Sequence, residues 1–440
     1  MKRFMSFLLV SVMMVGLLAA CGSATPTTAP ATSAPTTAPT TAAEATAAPT
    51  AATTDATAEA TAEATAAATT APTTGGDAMV ATGDITLWHA YSTGGSEDAT
   101  LTTLIENAKT AFPDANITVL QVPFDQVFSK FENDVATGSG PDLFLAPNDS
   151  LGDLARKNLL ADLDAYKANL TNIGPAGVAG MSVDGKLYGI PESYKAVALY
   201  YNKSTIATPP ATTDELLQMV KDGKKLVLNQ SAYHNFGFFQ AFGASLFTAD
   251  KACGLTNGGG EAFKYLQDLK AAGATFLTDG PSADAAFREG KADMIINGPW
   301  VLADYQKDLG ENLAVAPMPA GPKGPAGPLT GVDGFYVNIN SQNVEGAVAL
   351  AMYLTNTESQ KLYTEQAGHV PTDINVVPTD ALVLGFSQAA STGYARPQDK
   401  ELGNFWTPVG DALTKALDGG EEATKAITDA CAAMDLANGK

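Results

Sequence analysis

Cysteine is almost absent: Cys21, Cys253 and Cys431 are all that 440 residues contain. That excludes a disulfide-dense scaffold and any zinc module built on paired cysteines. Histidine is as scarce, and His89, His234 and His369 have no metal-ligand spacing, so no metal site is expected. The glycine-rich run Gly138-Ser139-Gly140 ends a helix instead of opening one, which removes a phosphate loop, and no cofactor is expected. Basic residues are outnumbered, 26 against 47 acidic, for a net charge of −21. A surface this acidic repels nucleic acid and anionic lipid. Residues 22–78 hold neither a Lys or Arg nor a large apolar side chain.

What is present begins with an export signal. Lys2 and Arg3 precede an apolar run to Ala20 that ends in small residues, the pattern of a secretory signal over residues 1–20. The run is short for a membrane span and has no stop-transfer flank. Its end, Leu18-Ala19-Ala20-Cys21, resembles the bacterial lipobox. The resemblance implies cleavage before Cys21 and a lipid on its sulfur, tethering the chain to the outer face of the cell membrane. Residues 21–83 then form a Thr/Ala/Pro-rich stalk that cannot offset the entropy of ordering and is expected to be disordered. A coil of about sixty residues reaches on the order of 45 Å. An exported compartment permits a bridge between Cys253 and Cys431, but two buried small apolar residues are the alternative.

From Asp84 onwards strands alternate with helices. Residues 85–88, 117–122 and 142–145 read as strands, with helices at 97–112 and 126–137 between them. Further strands fall at 196–201, 293–296 and 335–339, and helices close the chain at 403–417 and 421–436. This pace predicts an α/β fold with covered mixed sheets. Some 355 residues exceed one ordinary core, so two lobes are expected.

Four stretches in register resemble the extracellular sugar-binding proteins of ABC importers, the group containing maltose/maltodextrin-binding protein. They are Ala136-Thr137-Gly138-Ser139-Gly140-Pro141-Asp142; Gly185 to Pro191 followed by Leu199-Tyr200-Tyr201-Asn202-Lys203; Ala285 to Ala292 followed by Asn297-Gly298-Pro299-Trp300; and Asn404-Phe405-Trp406. The resemblance implies a two-lobed periplasmic-binding-protein fold of the class II type, with a hinge and an interlobe cleft. The first lobe would comprise 84–193 plus 329–377, and the second 194–328 plus 378–440. It also implies a monomer that binds a sugar and delivers it to a permease pair with its ATPase.

The candidate site follows from the same stretches. Asn297-Gly298-Pro299 breaks the chain after a buried strand and delivers Trp300 at a strand's C-terminal end, where open α/β sheets bind ligands. Sugars need flat aromatic faces and fixed polar groups there. By resemblance Trp300 and Trp406 are the stacking platforms and Asp149 a hydroxyl-binding acid. Glu192 enters the cleft with Lys195 as its rival, Tyr233 or His234 comes from the second lobe, and Asp333, His89 and Tyr91 are further contacts. The maltose-binding pattern has a tryptophan where Ala146 stands, a departure that bears on specificity. Trp88 and Phe405 read as core, Asp142 as a structural cap, and Asp149 and Asp333 could equally serve their own turns.

Three rival functions have a foothold in the sequence. A glycosidase needs two carboxyls across a scissile bond; Glu192 and Asp149 could pose as such a pair, but no catalytic pattern presents them, so no enzyme is expected. A ferric-iron receptor could use Tyr200-Tyr201, which instead match the sugar-binder strand. An adhesin would need no closing cleft.

Overall fold

Buried strands organise the described residues into two large sheets and one small hairpin, Ser182–Val183 with Lys186–Leu187. A computed structural model describes residues 79–440. The signal at 1–20, the lipidation candidate Cys21 and the stalk as far as residue 78 lie outside the described residues.

The first sheet runs in the order Val370–Pro371, Gly189–Lys195, Leu329–Val337, Leu143–Pro147, Gly83–His89, Ala115–Gln121. Its last three strands are parallel, with Leu87 opposite both Leu143 and Val119. Leu329–Val337 runs antiparallel to Gly189–Lys195 and Leu143–Pro147, and its first two residues pair in parallel with a seventh, short strand, Tyr394–Ala395. The second sheet runs Leu313–Ala316, Ala198–Asn202, Met294–Asn297, Leu226–Asn229, Thr275–Leu277, again mixed. Each sheet has its own core. In the first, Phe131 stacks on Phe144 with centroids 4.8 Å apart. In the second, Phe236, Phe238, Phe239 and Phe263 are fully buried. Each such ring contributes about 1.5–3 kcal/mol by leaving water.

The architecture is the expected two-lobed α/β fold, and the differences are local. The strand expected at 335–339 begins at Leu329 and is nine residues long. Gly331, Asp333 and Gly334 have little strand preference of their own, and pairing on both edges overrides that. The helix expected from 403 opens as a 3-10 turn, Lys400–Asn404, before Trp406–Leu417. The helices Ala232–Ala241 and Ala381–Ser391 carry no clear period in the sequence, whereas Leu302–Leu309 carries Leu302, Tyr305 and Leu309 at helical spacing but is only eight residues long.

Three strands that adjoin the passages between the sheets lie side by side. Gly189–Lys195 runs directly on into Ala198–Asn202 of the second sheet. Leu313–Ala316 of the second sheet leads to Leu329–Val337 of the first. Val370–Pro371 leads to Ala381–Ser391, which packs on Leu313–Ala316. Their register carries one irregularity. Asp333 pairs with Ser193 but Gly334 pairs with Pro191, leaving Glu192 as an extra, bulged residue. A bulge suits Pro191, which has no N–H for the ladder, and it re-aims the side chain beside it.

In the second lobe Cys253 and Cys431 are joined by a disulfide, Cα atoms 5.3 Å apart. The bridge ties helix Ala423–Ala437 to the loop before helix Gly259–Ala272.

Candidate sugar site between the lobes

The aromatic wall is built from two helix starts. Asn297 ends a buried strand; its side-chain Nδ2 donates to Asp284 Oδ1 at 2.7 Å while its side-chain Oδ1 accepts from Gly298 N at 2.8 Å. The Tyr305 hydroxyl donates to the same carboxylate at 2.8 Å. Tyr200, fully buried, donates to Gly298 O at 2.8 Å. These bonds pin the turn that carries Trp300, whose half-buried indole folds back over Gly298. A side chain on that glycine would overlap the ring. The second start is Ser231, which caps Ala232–Ala241 by accepting from His234 N at 3.2 Å. It places Tyr233 with its ring centroid 6.1 Å from that of Trp300, and His234 6.0 Å from Trp300. Burial lowers the His234 imidazole to about 4, so it is neutral, and burial raises the Tyr233 hydroxyl to about 12.

Arg396, which follows the short strand Tyr394–Ala395, connects this wall to Trp406 and to the turn after Leu143–Pro147. Its guanidinium lies 5.2 Å from the Tyr233 ring centroid and 5.9 Å from that of Trp406. It ion-pairs with Asp149 and reaches Asn148 Oδ1 at 3.3 Å, both in the turn after Leu143–Pro147. Gly331 leaves room for it, since a Cβ there would stand 2.8 Å from Nη1. Gln398 strengthens the same seam, accepting from Gly152 N at 3.1 Å and donating to Asn148 O at 3.2 Å. On the other flank Gly368, at φ 77°, brings its backbone against Leu302 of the second lobe, where a Cβ would come within 2.7 Å. Planar cation, aromatic faces and carboxylate thus converge, the chemistry that a polyhydroxylated ligand uses.

Beneath the wall, on the first-lobe side, lies a buried ionic cluster. Lys195 Nζ is 2.7 Å from Glu97 Oε1, 2.9 Å from His369 Nε2 and 3.5 Å from Asp333 Oδ2. His369 Nδ1 is 2.9 Å from Glu192 Oε1, and its Nε2 is 2.7 Å from Glu97 Oε1. Burial opposes the charge on Glu97, but Lys195 and His369 outweigh it and bring that carboxyl down to about 2. Burial likewise disfavours the His369 imidazolium, yet Glu192 prevails and its pKa is raised. For Asp333 burial wins over Lys195 and lifts the carboxyl to about 6. Its Oδ1 has no hydrogen-bond partner among the described residues.

The candidates therefore separate. Trp300, Tyr233, Trp406 and Asp149 come together around Arg396. Asp333 sits in the cluster below, and its charge acts on Tyr233 across the cleft. Glu192 does not meet the aromatic wall, because the bulge turns it towards His369. Tyr91 is buried edge-on to Tyr363 and His369, at 6.4 and 6.1 Å. His89 instead lines a groove with Leu101, Ile105 and Val119, between the helix Ser96–Ala111 and strand Ala115–Gln121. Trp88 is core, with Lys130 over its ring at 4.4 Å. Asp142 is a structural acceptor for Thr86 N and Ser341 Oγ. Sequence reasoning passed over Arg396, His369 and Glu97. Arg396 left one signal: it is one of only four arginines and stands in a Pro-containing turn shortly before the late aromatic pair.

The protein is similar to sugar receptors of known structure and role. Residues 103–383 match the family described as bacterial extracellular solute-binding protein. A maltodextrin-binding protein of Bacillus subtilis is 27% identical over 370 residues, covering 76% of this chain and 87% of its own length. A maltooligosaccharide ABC transporter solute-binding lipoprotein of Streptococcus pneumoniae is 24% identical over 397 residues, covering 80% and 92%. The Thermus thermophilus maltotriose binding protein, solved bound with maltotriose, superposes with a TM-score of 0.74 at 30% identity, covering 80% of this chain and all of that one.

Proposed function

Because the chain belongs to the bacterial extracellular solute-binding proteins, we propose that it captures a sugar or oligosaccharide in the interlobe cleft for delivery to an ABC permease. The observation that carries this reading is the convergence of Trp300, Tyr233 and Trp406 with the pair Arg396–Asp149. The indoles offer flat faces to C–H surfaces, and the charged groups offer fixed partners to hydroxyls.

The lobes would divide as 84–193 plus 329–377 and 194–328 plus 378–440, with the strand Gly189–Lys195 carrying the first lobe to its edge. Closure would be a population shift, since a ligand touching both walls has its full affinity only in the closed form. The permease and its ATPase would then read that form. Tethering by a lipid on Cys21 is supported by the Leu-Ala-Ala-Cys run and by the lipoprotein relative of Streptococcus pneumoniae. A pure binding role is supported by the placement of the two acids a glycosidase would need: Glu192 is held by His369 and Asp149 by Arg396.

The names of the relatives make maltotriose the first ligand to try, while Ala146 removes one platform of the maltose-binding pattern. A calorimetric titration against maltotriose, galacto-oligosaccharides and sugar alcohols tests the proposal. A saturable 1:1 isotherm with one carbohydrate is the expected result, with no new reducing ends on incubation. Absence of binding across the panel would refute the reading.

A further inference from the structure

Several of the groups that converge in the candidate site are already engaged, and one side chain engages them. The Arg396 guanidinium pairs with Asp149, reaches Asn148 Oδ1 at 3.3 Å, and stands 5.2 Å from the Tyr233 ring centroid and 5.9 Å from that of Trp406. Its side chain is 3% exposed, so it fills the interior of the site and not the rim. A sugar stacked on either ring must bring its carbons to about 4–4.5 Å, into space that this planar cation holds. Tyr233 has other neighbours too, with Trp300 tilted against it at 36° and His234 edge-on at 5.4 Å. Trp406 is met edge-on by Phe405 at 5.0 Å.

The backbone fixes this placement. Arg396 follows Tyr394–Ala395, which pairs with Leu329 and Thr330, and its N donates to Thr330 O at 2.9 Å. Gly331 beside it is required, since a Cβ there would stand 2.8 Å from Nη1 and 3.0 Å from Cζ. Asn148 is held as well: its Nδ2 donates to Gly180 O at 2.8 Å and its Oδ1 accepts from Val332 N at 3.1 Å. A neutral hydroxyl offers Arg396 or Asp149 less than each offers the other, and parting them would leave a buried charge unmatched. A sugar therefore does not displace the guanidinium. Trp300 differs from its two aromatic neighbours, because among the described residues no cation stands over its ring.

We infer that Arg396 is a built-in occupant of one sugar subsite, a plug that limits the ligand to a short saccharide of one or two units seated on Trp300. The inference rests on the proposed sugar-binding role and sharpens it from a sugar or oligosaccharide to a length. A third unit would find neither the faces of Tyr233 and Trp406 that Arg396 covers nor an unpaired Asp149, so ordering it adds cost without new contact.

The test is calorimetry of the full chain with maltose, maltotriose and maltotetraose, on wild type, Arg396→Ala and Arg396→Met. The longer sugars should bind wild type no more than about threefold tighter than maltose, and a larger gain overturns the plug. Arg396→Ala vacates the subsite and frees Asp149, so its preference for maltotriose over maltose should exceed that of wild type by about tenfold. Arg396→Met fills the space without the charge and should keep the wild-type ratio. A ratio that Arg396→Ala leaves unchanged overturns the plug. Should Arg396→Ala fail to fold, Arg396→Ala/Asp149→Asn, which leaves no charge unpaired, reads the same ratio. If none of the three sugars binds any of these proteins, the sugar reading is in question and acrylamide quenching of indole fluorescence decides the plug. Quenching raised in Arg396→Ala and not in Arg396→Met sustains it, because Trp406 has lost its cover, and equal quenching in all three proteins overturns it.

Discussion

If Trp300 is a platform for the sugar, Gly298→Ala should weaken binding although it deletes no aromatic ring and no hydrogen bond. Gly298 has φ −94° and ψ 179°, a conformation that alanine adopts freely. Its hydrogen bonds use only backbone atoms, to Asn297 and Tyr200, and both survive the substitution. What changes is the space above it, where the new methyl overlaps three carbons of the Trp300 indole. To restore ordinary carbon–carbon contact the ring must retreat by about 1.5 Å. Tyr233 and His234 pack on that ring, so it cannot tilt without disturbing them. Loss of a well-packed aromatic anchor costs about 2 kcal/mol or more, so Kd should rise about 30-fold. Trp300→Ala should cost at least as much, with little change in Tm because the indole is only half-buried. Calorimetry measures the affinity, and indole fluorescence reports the displacement of the ring. Wild-type affinity in both variants would refute the platform.

Three further outcomes follow from the geometry. The Cys253–Cys431 bridge closes a separation of 178 residues, for which chain entropy sets an upper limit of about 5 kcal/mol. Helix Ala423–Ala437 also packs directly against Gly259–Ala272. Reductant or Cys253→Ala/Cys431→Ala should therefore cost about 2–4 kcal/mol, read as a drop in Tm, and two free thiols in the untreated, denatured protein would contradict the bridge. The Arg396–Asp149 pair ties the aromatic wall to the turn after Leu143–Pro147, so Arg396→Met and Asp149→Asn should couple by about 1–2 kcal/mol in a double-mutant cycle on sugar affinity, whereas additive effects would deny the contact. Stability should also have an optimum between about pH 4.5 and 6. Glu97, lowered from 4.5 to about 2, contributes stability present above 4.5 and lost as pH falls through 2. Asp333 and His369 are both raised, so theirs is present in acid and lost as pH rises through about 6 for Asp333 and through the raised value for His369. Melting curves across pH check the shape, and a Tm still climbing from pH 6 to 8 would contradict it.

The fold was legible where local pattern and tertiary environment agree. Leu143–Pro147 is a short apolar run and is buried on both faces, and helix Phe124–Ala136 buries Val127, Phe131 and Val135 at helical spacing. It was illegible where they disagree. Helix Ala232–Ala241 is apolar nearly all round, so no period marks it as a helix. Strand Leu329–Val337 carries two glycines and an aspartate in its middle and is a strand because both edges are paired.

The site divides along a related line. Trp300 is announced by Asn-Gly-Pro, because the turn that positions it is made of its own chain neighbours. Arg396 is not announced in that way. Its meaning comes from Tyr233, Trp406 and Asp149, which lie 163, 10 and 247 residues away in the sequence. Glu192 shows the harder failure, since its segment was identified and its direction was not. Strand alternation assigns each residue a face, and one bulge shifts that assignment for its own residue. The carboxylate consequently leaves the cleft for His369 and becomes part of the buried charge beneath the hinge. A residue expected to touch the sugar is thus held inside the cluster by His369. Glu192→Gln tests the placement: a lower Tm with Kd little changed is expected, and a loss of affinity at unchanged Tm would return Glu192 to the cleft wall.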